Sequence, residues 1–321
     1  MIEMVRPRDA KEVIERLGRG ESAESLGLKH GPDGLVDLRG LKLDKRRPQA
    51  RFRVGQATFD YLPTKPIFDD LVLRDVDLSG AFLEDSYWRN CSFKHVRLDR
   101  VRCRGVNFAS SDMDSVSFAR ADLRFVNWGL DRLDGPVLSR VDLVKCDLRR
   151  STYGHPLFQN CKWVDCNLKG VNFAGSRFED CTFEGLIDAV WFHGHDHDPD
   201  PRIAALRNPM KNVDFSRAEL RDVDFSHEID LTMCKFPEHG YIRMEYPREV
   251  HRRAIERIKA AWSGQAREKA IAYLEVMLRD HFREEQPFTL IRPVDFEKSP
   301  LGREVGLGIV RELEEAAKDV G

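Results

Sequence analysis

The stretch VDLSGAFLEDSYWRNCSFKHVRLDRVRCRGVNFASSDMDSVSFARADLRFVNW (76–128) decides how this chain folds. Its large residues fall at every fifth place: Leu78, Leu83, Trp88, Phe93, Leu98, Cys103, Phe108, Met113, Phe118, Leu123 and Trp128. Followed in both directions, the series runs from Phe68 to Phe183, 24 places with no polar occupant except the phenol of Tyr153. In a chain that is 41% hydrophobic, chance produces such a run on the order of once in a billion trials.

The neighbours of each large residue follow rules of their own. Two places earlier, 19 of the 24 residues are Val, Ala, Ser or Cys, from Val76 and Ala81 through Val171, Ser176 and Cys181. One place earlier the residue is usually polar, as at Asp77, Asn107, Asp112, Asp122, Asn127, Asp142, Asp147, Asn167 and Asn172. This order (small, polar, large apolar, any, any) resembles the consensus of the pentapeptide repeat family. ARADLR (119–124), LSRVDL (138–143) and GVNFAG (170–175) match it closely. The resemblance implies a mainly β fold, a right-handed quadrilateral β-helix or solenoid. Five residues make one side and four sides make a turn of 20, with the large and small residues pointing inward. Turns about 4.8 Å apart put six of them into a rod of roughly 29 Å whose ends need caps. Five units depart from the rule, three of them inside the run. Asp131 at a small site predicts a local distortion, because a bare buried carboxylate is costly. Pro136 and Pro156 suit corners where no N–H is needed.

Outside the repeat the period changes. Residues 1–65 predict an N-terminal helix capped by Asp9, with Glu12 three places on, then an irregular lead-in over 44–66. LVDLRGLKL (35–43) already carries the five-step at Leu38 and Leu43. Residues 66–240 form the solenoid, interrupted by an insertion loop at about 186–211 and resuming at Phe215, Leu220 and Phe225. Residues 241–321 read as a helical C-terminal region. REVHRRAIERIKAAW (248–262) and AREKAIAYLEVMLRDHF (266–282) have apolar spacings of three and four. FTLIRPVDF (288–296) is β-like, and Ser299-Pro300 opens a last helix toward Ala317.

Two clusters are candidate sites. His193, His195 and His197 alternate, so an extended chain projects them to one side, where imidazoles could ligate zinc or nickel; Pro-Asp repeats around them favour a solvated loop, with Trp191 and Phe192 at its root as core. Arg100, Arg120 and Arg140 are 20 apart, one turn of the coil, with Arg97 and Arg177 alongside. If stacked, they form a strip for an anionic protein surface, phosphate or nucleic acid, partly compensated by Asp99 and Glu179. Asn107, Asn127, Asp147 and Asn167 have the same spacing and predict a structural ladder with hydrogen bonds along it.

The seven cysteines fall on the repeat, Cys103 on a large site and the rest two before one, as small interior residues of a reducing compartment. Net charge is −2 from 52 basic and 54 acidic side chains, so no global field selects nucleic acid. The charged N-terminus lacks the apolar core of a signal peptide, and no apolar run is long enough to span a membrane. These features predict a cytoplasmic protein with no membrane partner. GxSxG, the P-loop and a strand-borne GxGxxG are missing from the sequence, so no catalytic motif or cofactor site is legible. The reading is a non-enzymatic rigid scaffold of bacterial type, presenting outward residues, a loop and C-terminal helices to a protein partner, with the helices also suited to a homodimer. The resemblance implies an alternative: some family members imitate duplex DNA, bind gyrase or related topoisomerases, and protect against antibiotics or toxins. That mimicry needs an acidic rod, whereas residues 66–186 are near charge balance. A third reading is an anion or nucleic-acid binder using the arginine strip.

Overall fold

The computed structural model describes residues 9–43, 51–54, 57–60, 65–129, 135–196, 200–283 and 285–320. The Asp131 and His197 expectations therefore lie outside the described residues. The chain divides into two compact units, Met1–Asn167 and Leu168–Gly321. The architecture is the right-handed quadrilateral β-helix, followed by C-terminal helices.

In the first unit, helix α1 (Ala10–Gly18) starts where Asp9 accepts a hydrogen bond from the Lys11 N–H at 2.9 Å. Val13 and Ile14 are buried. Gly18 lies so close to Leu71 that a Cβ there would stand 2.9 Å from the leucine's own Cβ. The helix thus covers one end of the coil, where apolar side chains have no neighbouring turn. Val36 and Asp37 pair with Val76 and Asp77, which sets Leu38 and Leu43 in the stack. The offset of 40 holds a two-stranded antiparallel ribbon, Arg51–Val54 with Ala57–Asp60, where the sequence suggests only irregular chain.

From there the turns pair in parallel. Val72–Asp77, Ser92–Arg97, Asp112–Ala119 and Val137–Val144 form one wall. Inside it, Phe68 stacks on Trp88 at 4.0 Å and Phe108 on Trp128 at 5.3 Å. Pro136 and Pro156 are buried at the small sites. Offsets are 20 residues up to Asn127: Ser92 faces Asp112, and Asn107 faces Asn127. Across the next turn they are 25: Met113 faces Leu138, Asp122 faces Asp147 and Asn127 faces Thr152. They then return to 20, Leu138 facing Phe158 and Asp142 facing Lys162. One turn therefore holds a fifth pentapeptide, between Trp128 and Val137.

The corners obey a second rule of period five. Asp70, Asp75, Asp85, Asn90, His95, Arg100, Ser110, Ser115, Arg120 and Phe125 all have φ between 51° and 60°, with Gly80 and Gly105 in the same series. The left-handed conformation turns the chain through each corner. Asp and Asn tolerate it, whereas for Arg or Phe it costs about 1–2 kcal/mol.

In the second unit the inward series continues past Phe183 by one four-residue step, to Ile187 and then Phe192, while Leu186 is exposed. Thr182–Asp188 pairs with Asp214–Arg221, and Trp191–His193 with Asp224–Ser226. The insertion is thus shorter than 186–211: the coil holds until His193, and the loop contains the one-turn helix α2 (Pro201–Ala204), capped by Asp200. Phenylalanines stack through the unit, Phe173 on Phe192 on Phe225, and Phe183 on Phe215 on Phe236, at 5.0–5.6 Å.

Ile242–Glu245 pairs antiparallel with Phe288–Ile291. Helices α3 (Pro247–Ala261), α4 (Gly264–Asp280) and α6 (Arg303–Val320) pack around Ala254, Ile258, Leu274, Ile309 and Leu313. The short α5 (Pro293–Phe296) precedes α6. Helix α6 begins at Arg303 after Gly302 at φ 94°, later than Ser299-Pro300 predicts, because that glycine interrupts the helical path. A Cβ on Gly306 would stand 2.2 Å from the Phe296 carbonyl oxygen. Gly306→Ala is therefore expected to destabilise this unit by about 1–3 kcal/mol, read as a lower denaturation midpoint; an unchanged midpoint contradicts this packing.

Candidate functional site

The 25-residue turn rearranges the arginine strip. Arg100 stacks under Arg120, as the N–H of each binds the following turn at Ala119 O and Val144 O. Above Arg120, however, comes Lys145, whose N–H binds Val164 O. Arg140 is displaced to the face of Ser115, where its Nε donates to Ser115 Oγ at 3.1 Å and its guanidinium pairs with Asp114. Arg97 is neutralised by Asp33 and by Asp77 at 3.2 Å. Arg177 opens the strand Arg177–Glu179 of the second unit. Asp99 accepts from the Ala119 N–H at 2.9 Å and forms no ion pair with Arg100 or Arg120 among the described residues.

The first unit thus presents an edge of Arg100, Arg120 and Lys145, all exposed. None of the three side chains has an ion pair or hydrogen bond among the described residues. The side that follows carries Phe82, with Lys42 at 5.0 Å and Arg102 at 4.7 Å. At its far corner Phe125 is 39% exposed, with Arg104 and Arg150 at 5.1 and 5.3 Å. The amide ladder is split in the same way: Asn107 and Asn127 pair, and the next rung is Thr152. The Oδ1 atoms of Asn107 and Asn127 are buried without hydrogen-bond partners among the described residues, so the expected bonding along the stack fails there.

His193 and His195 do not form a metal-binding set with their neighbours; among the described residues no group of three or more metal-ligating side chains has that geometry. His193 instead packs on His227 at 4.1 Å between ring centres and faces Asp224 at 3.8 Å. His195 Nδ1 lies 3.2 Å from Asp196 O. None of the seven cysteines forms a disulfide among the described residues, and six are buried. Burial pushes Cys91 up to about 11 and Cys234 to about 12, which leaves these thiols protonated and unreactive.

A cavity of about 230 Å³ lies in the second unit, walled by Trp191, Phe225, Met277, Phe282, Phe296 and Leu313. Nothing in the sequence spacing announces it, since its residues come from coil, helices and strand. Its lining includes three carboxylates, Asp222, Asp224 and Asp295. Asp295 takes Arg292 at 2.8 Å and the Asp222 N–H at 3.0 Å. Asp224 takes His281 Nδ1 at 2.9 Å and the Ser226 hydroxyl at 3.0 Å; this bond to Asp224 raises the His281 pKa. Tyr241 Oη accepts from the Leu220 N–H at 2.7 Å. The Asp222 carboxyl itself has no partner among the described residues. Burial, reinforced by Asp295, Asp188 and Asp224, raises its pKa. His251 is 2% exposed and Nδ1 reaches Pro247 O at 2.6 Å.

The family model for pentapeptide repeats (8 copies) matches residues 157–185. No curated protein matches the chain. Among solved structures, it is similar to HetL, a pentapeptide repeat protein involved in heterocyst differentiation regulation from the cyanobacterium Nostoc sp. strain PCC 7120. Identity is 11% over 64% of this chain and 93% of that one, with a TM-score of 0.35. A trypsin-treated variant of QnrB1, a plasmid-mediated fluoroquinolone resistance protein, is 13% identical over 60% of this chain and 90% of its own, with a TM-score of 0.28. A pentapeptide repeat protein of the Arabidopsis thaliana thylakoid lumen is 23% identical over 36% and 66%, with a TM-score of 0.16. Scores this low carry no argument; the assignment rests on the matched residues and on the five-residue sides, left-handed corners and stacked cores. Residues 157–185 thus match the pentapeptide repeat family, and the coil around them repeats the same five-residue unit.

Proposed function

We propose that this protein is a non-enzymatic interaction module that docks an acidic protein surface along the edge Arg100–Arg120–Lys145. One observation carries the reading: three stacked cations lack counter-ions among the described residues, beside the aromatic groups Phe82 and Phe125. Like charges one turn apart repel by about 1 kcal/mol per neighbouring pair even in water. A bound anionic surface would reverse that sign, and exposed Phe flanked by Arg is the composition of binding hot spots. Carboxylates three and four apart on a helix are about 5–6 Å from one another, close to the turn spacing of about 4.8 Å. An acidic amphipathic helix along the edge is the favoured partner. The gyrase-mimic reading requires an acidic surface, and this edge has the opposite sign. No described helix is long and apolar enough to cross a membrane, and seven cysteines in no disulfide among the described residues suit a reducing, cytoplasmic setting.

The test is binding of poly-L-glutamate, with duplex DNA as competitor and supercoiling by purified gyrase as a separate assay. Wild type should bind the polyanion with affinity that falls as salt rises. The variant Arg100→Gln/Arg120→Gln/Lys145→Gln should lose at least about ten-fold, roughly 0.5 kcal/mol per removed charge. Equal binding by wild type and variant overturns this surface; inhibition of gyrase favours the mimic, and preference for DNA favours the nucleic-acid reading.

A further inference from the structure

The second unit's cavity sets a cluster of aspartates beside a buried imidazole acceptor, a pattern that defines a ligand independently of the basic edge. Its cations are committed, Arg292 to Asp295 and Glu219 and His281 to Asp224. Two acceptors remain. The carboxyl of Asp222, which lines the cavity where it opens to solvent, accepts nothing among the described residues, although three other aspartates lie near it. His251 is almost wholly buried, lines the cavity, and has Nδ1 on the Pro247 carbonyl. Since a carbonyl can only accept, Nδ1 carries the proton and Nε2 presents a lone pair. That nitrogen has no partner among the described residues. An unfilled acceptor in such a buried ring calls for a donor from elsewhere.

We infer that the cavity binds a small organic ammonium ion with an apolar body and a second hydrogen-bond donor, the ammonium facing Asp222 and the donor reaching His251 Nε2. Anions are opposed by Asp222, Asp224 and Asp295. Neutral apolar molecules would leave the buried His251 acceptor unsatisfied. The volume of about 230 Å³ exceeds the roughly 150 Å³ that accepts a benzene ring, leaving room for a ring with a short arm. Tyr273 and Trp191 add aromatic surface that favours a cation.

Three probes on the full chain test the assignment by calorimetry. Tyramine carries the ring, the ammonium and a hydroxyl donor; tyrosol lacks the charge; phenethylamine lacks the hydroxyl. Tyramine should bind saturably, with tyrosol about ten-fold weaker and phenethylamine several-fold weaker. Asp222→Asn keeps a residue that tolerates the left-handed φ of 52° at this position, and should make tyramine and tyrosol equal. His251→Phe should make tyramine and phenethylamine equal. Circular dichroism checks that both variants are folded. Tyrosol binding as tightly as tyramine, or no saturable tyramine binding up to about 10 mM, overturns the inference. Either result leaves the basic edge untouched, since the charge-neutralising variant reports on that alone.

Discussion

Trp88→Ala is expected to lower the stability of the first unit by about 3–5 kcal/mol, the largest single-residue effect in the coil. Trp88 is fully buried, stacks on Phe68 at 4.0 Å and meets Phe93 at 5.3 Å. Its indole N–H donates to Ser86 Oγ at 2.8 Å, and that hydroxyl in turn donates to Leu83 O at 2.6 Å. Truncation leaves a cavity that the walls cannot close, because backbone hydrogen bonds to the adjacent turns fix their spacing. Denaturant unfolding followed by circular dichroism checks this. Trp88→Phe should recover most of the loss, since a ring still fills the column. A loss below about 1 kcal/mol for the alanine variant would mean that the column does not support the fold.

Acidification is expected to weaken the second unit through His251. Burial holds its pKa down at about 4, against about 6.5 for an unfolded chain. Above pH 6.5 neither state carries the proton, so the full stability is present. As pH falls through about 6.5 the unfolded chain takes the proton first, and stability drops until about pH 4, by about 3 kcal/mol in total. His281 acts in the opposite sense. Its pKa is raised, so its pairing with Asp224 contributes fully below about 6.5 and is lost as pH rises through the folded value. The net effect is a midpoint that falls between about pH 7 and 4.5; His251→Gln should flatten it and His281→Gln should steepen it. A wild-type midpoint that does not move over this range contradicts the burial of a neutral imidazole.

The column of large residues, the Asp9 cap and the period change near Pro247 were all legible, because each is a local pattern with one physical cause. The extra pentapeptide was not. Leu133 extends the five-step series as smoothly as any other residue, and a pattern of period five looks the same after a shift of five. Spacing therefore identifies the inward residues but not how many sides a turn contains, and this is why Arg140 and Asp147 were assigned to stacks they do not join. The corner rule was hidden for a different reason: Asp, Asn, Ser, His, Arg and Phe all serve there, so composition carries no mark of the left-handed backbone. The cavity joins Trp191, Asp222, His251, Tyr273 and Asp295, brought together by a helical layer whose contacts no spacing encodes.

The 25-residue turn also has an evolutionary meaning. Adding one pentapeptide leaves every later side chain inward or outward as before, so the interior is indifferent to it. Because a single turn takes in the extra side, the outer faces keep their compass direction too: Lys145 stands over Arg120 at an offset of 25 as it would at 20 without the added unit. A duplication of fifteen nucleotides can thus lengthen one turn of such a protein in a single event while the stacks on either side of it persist.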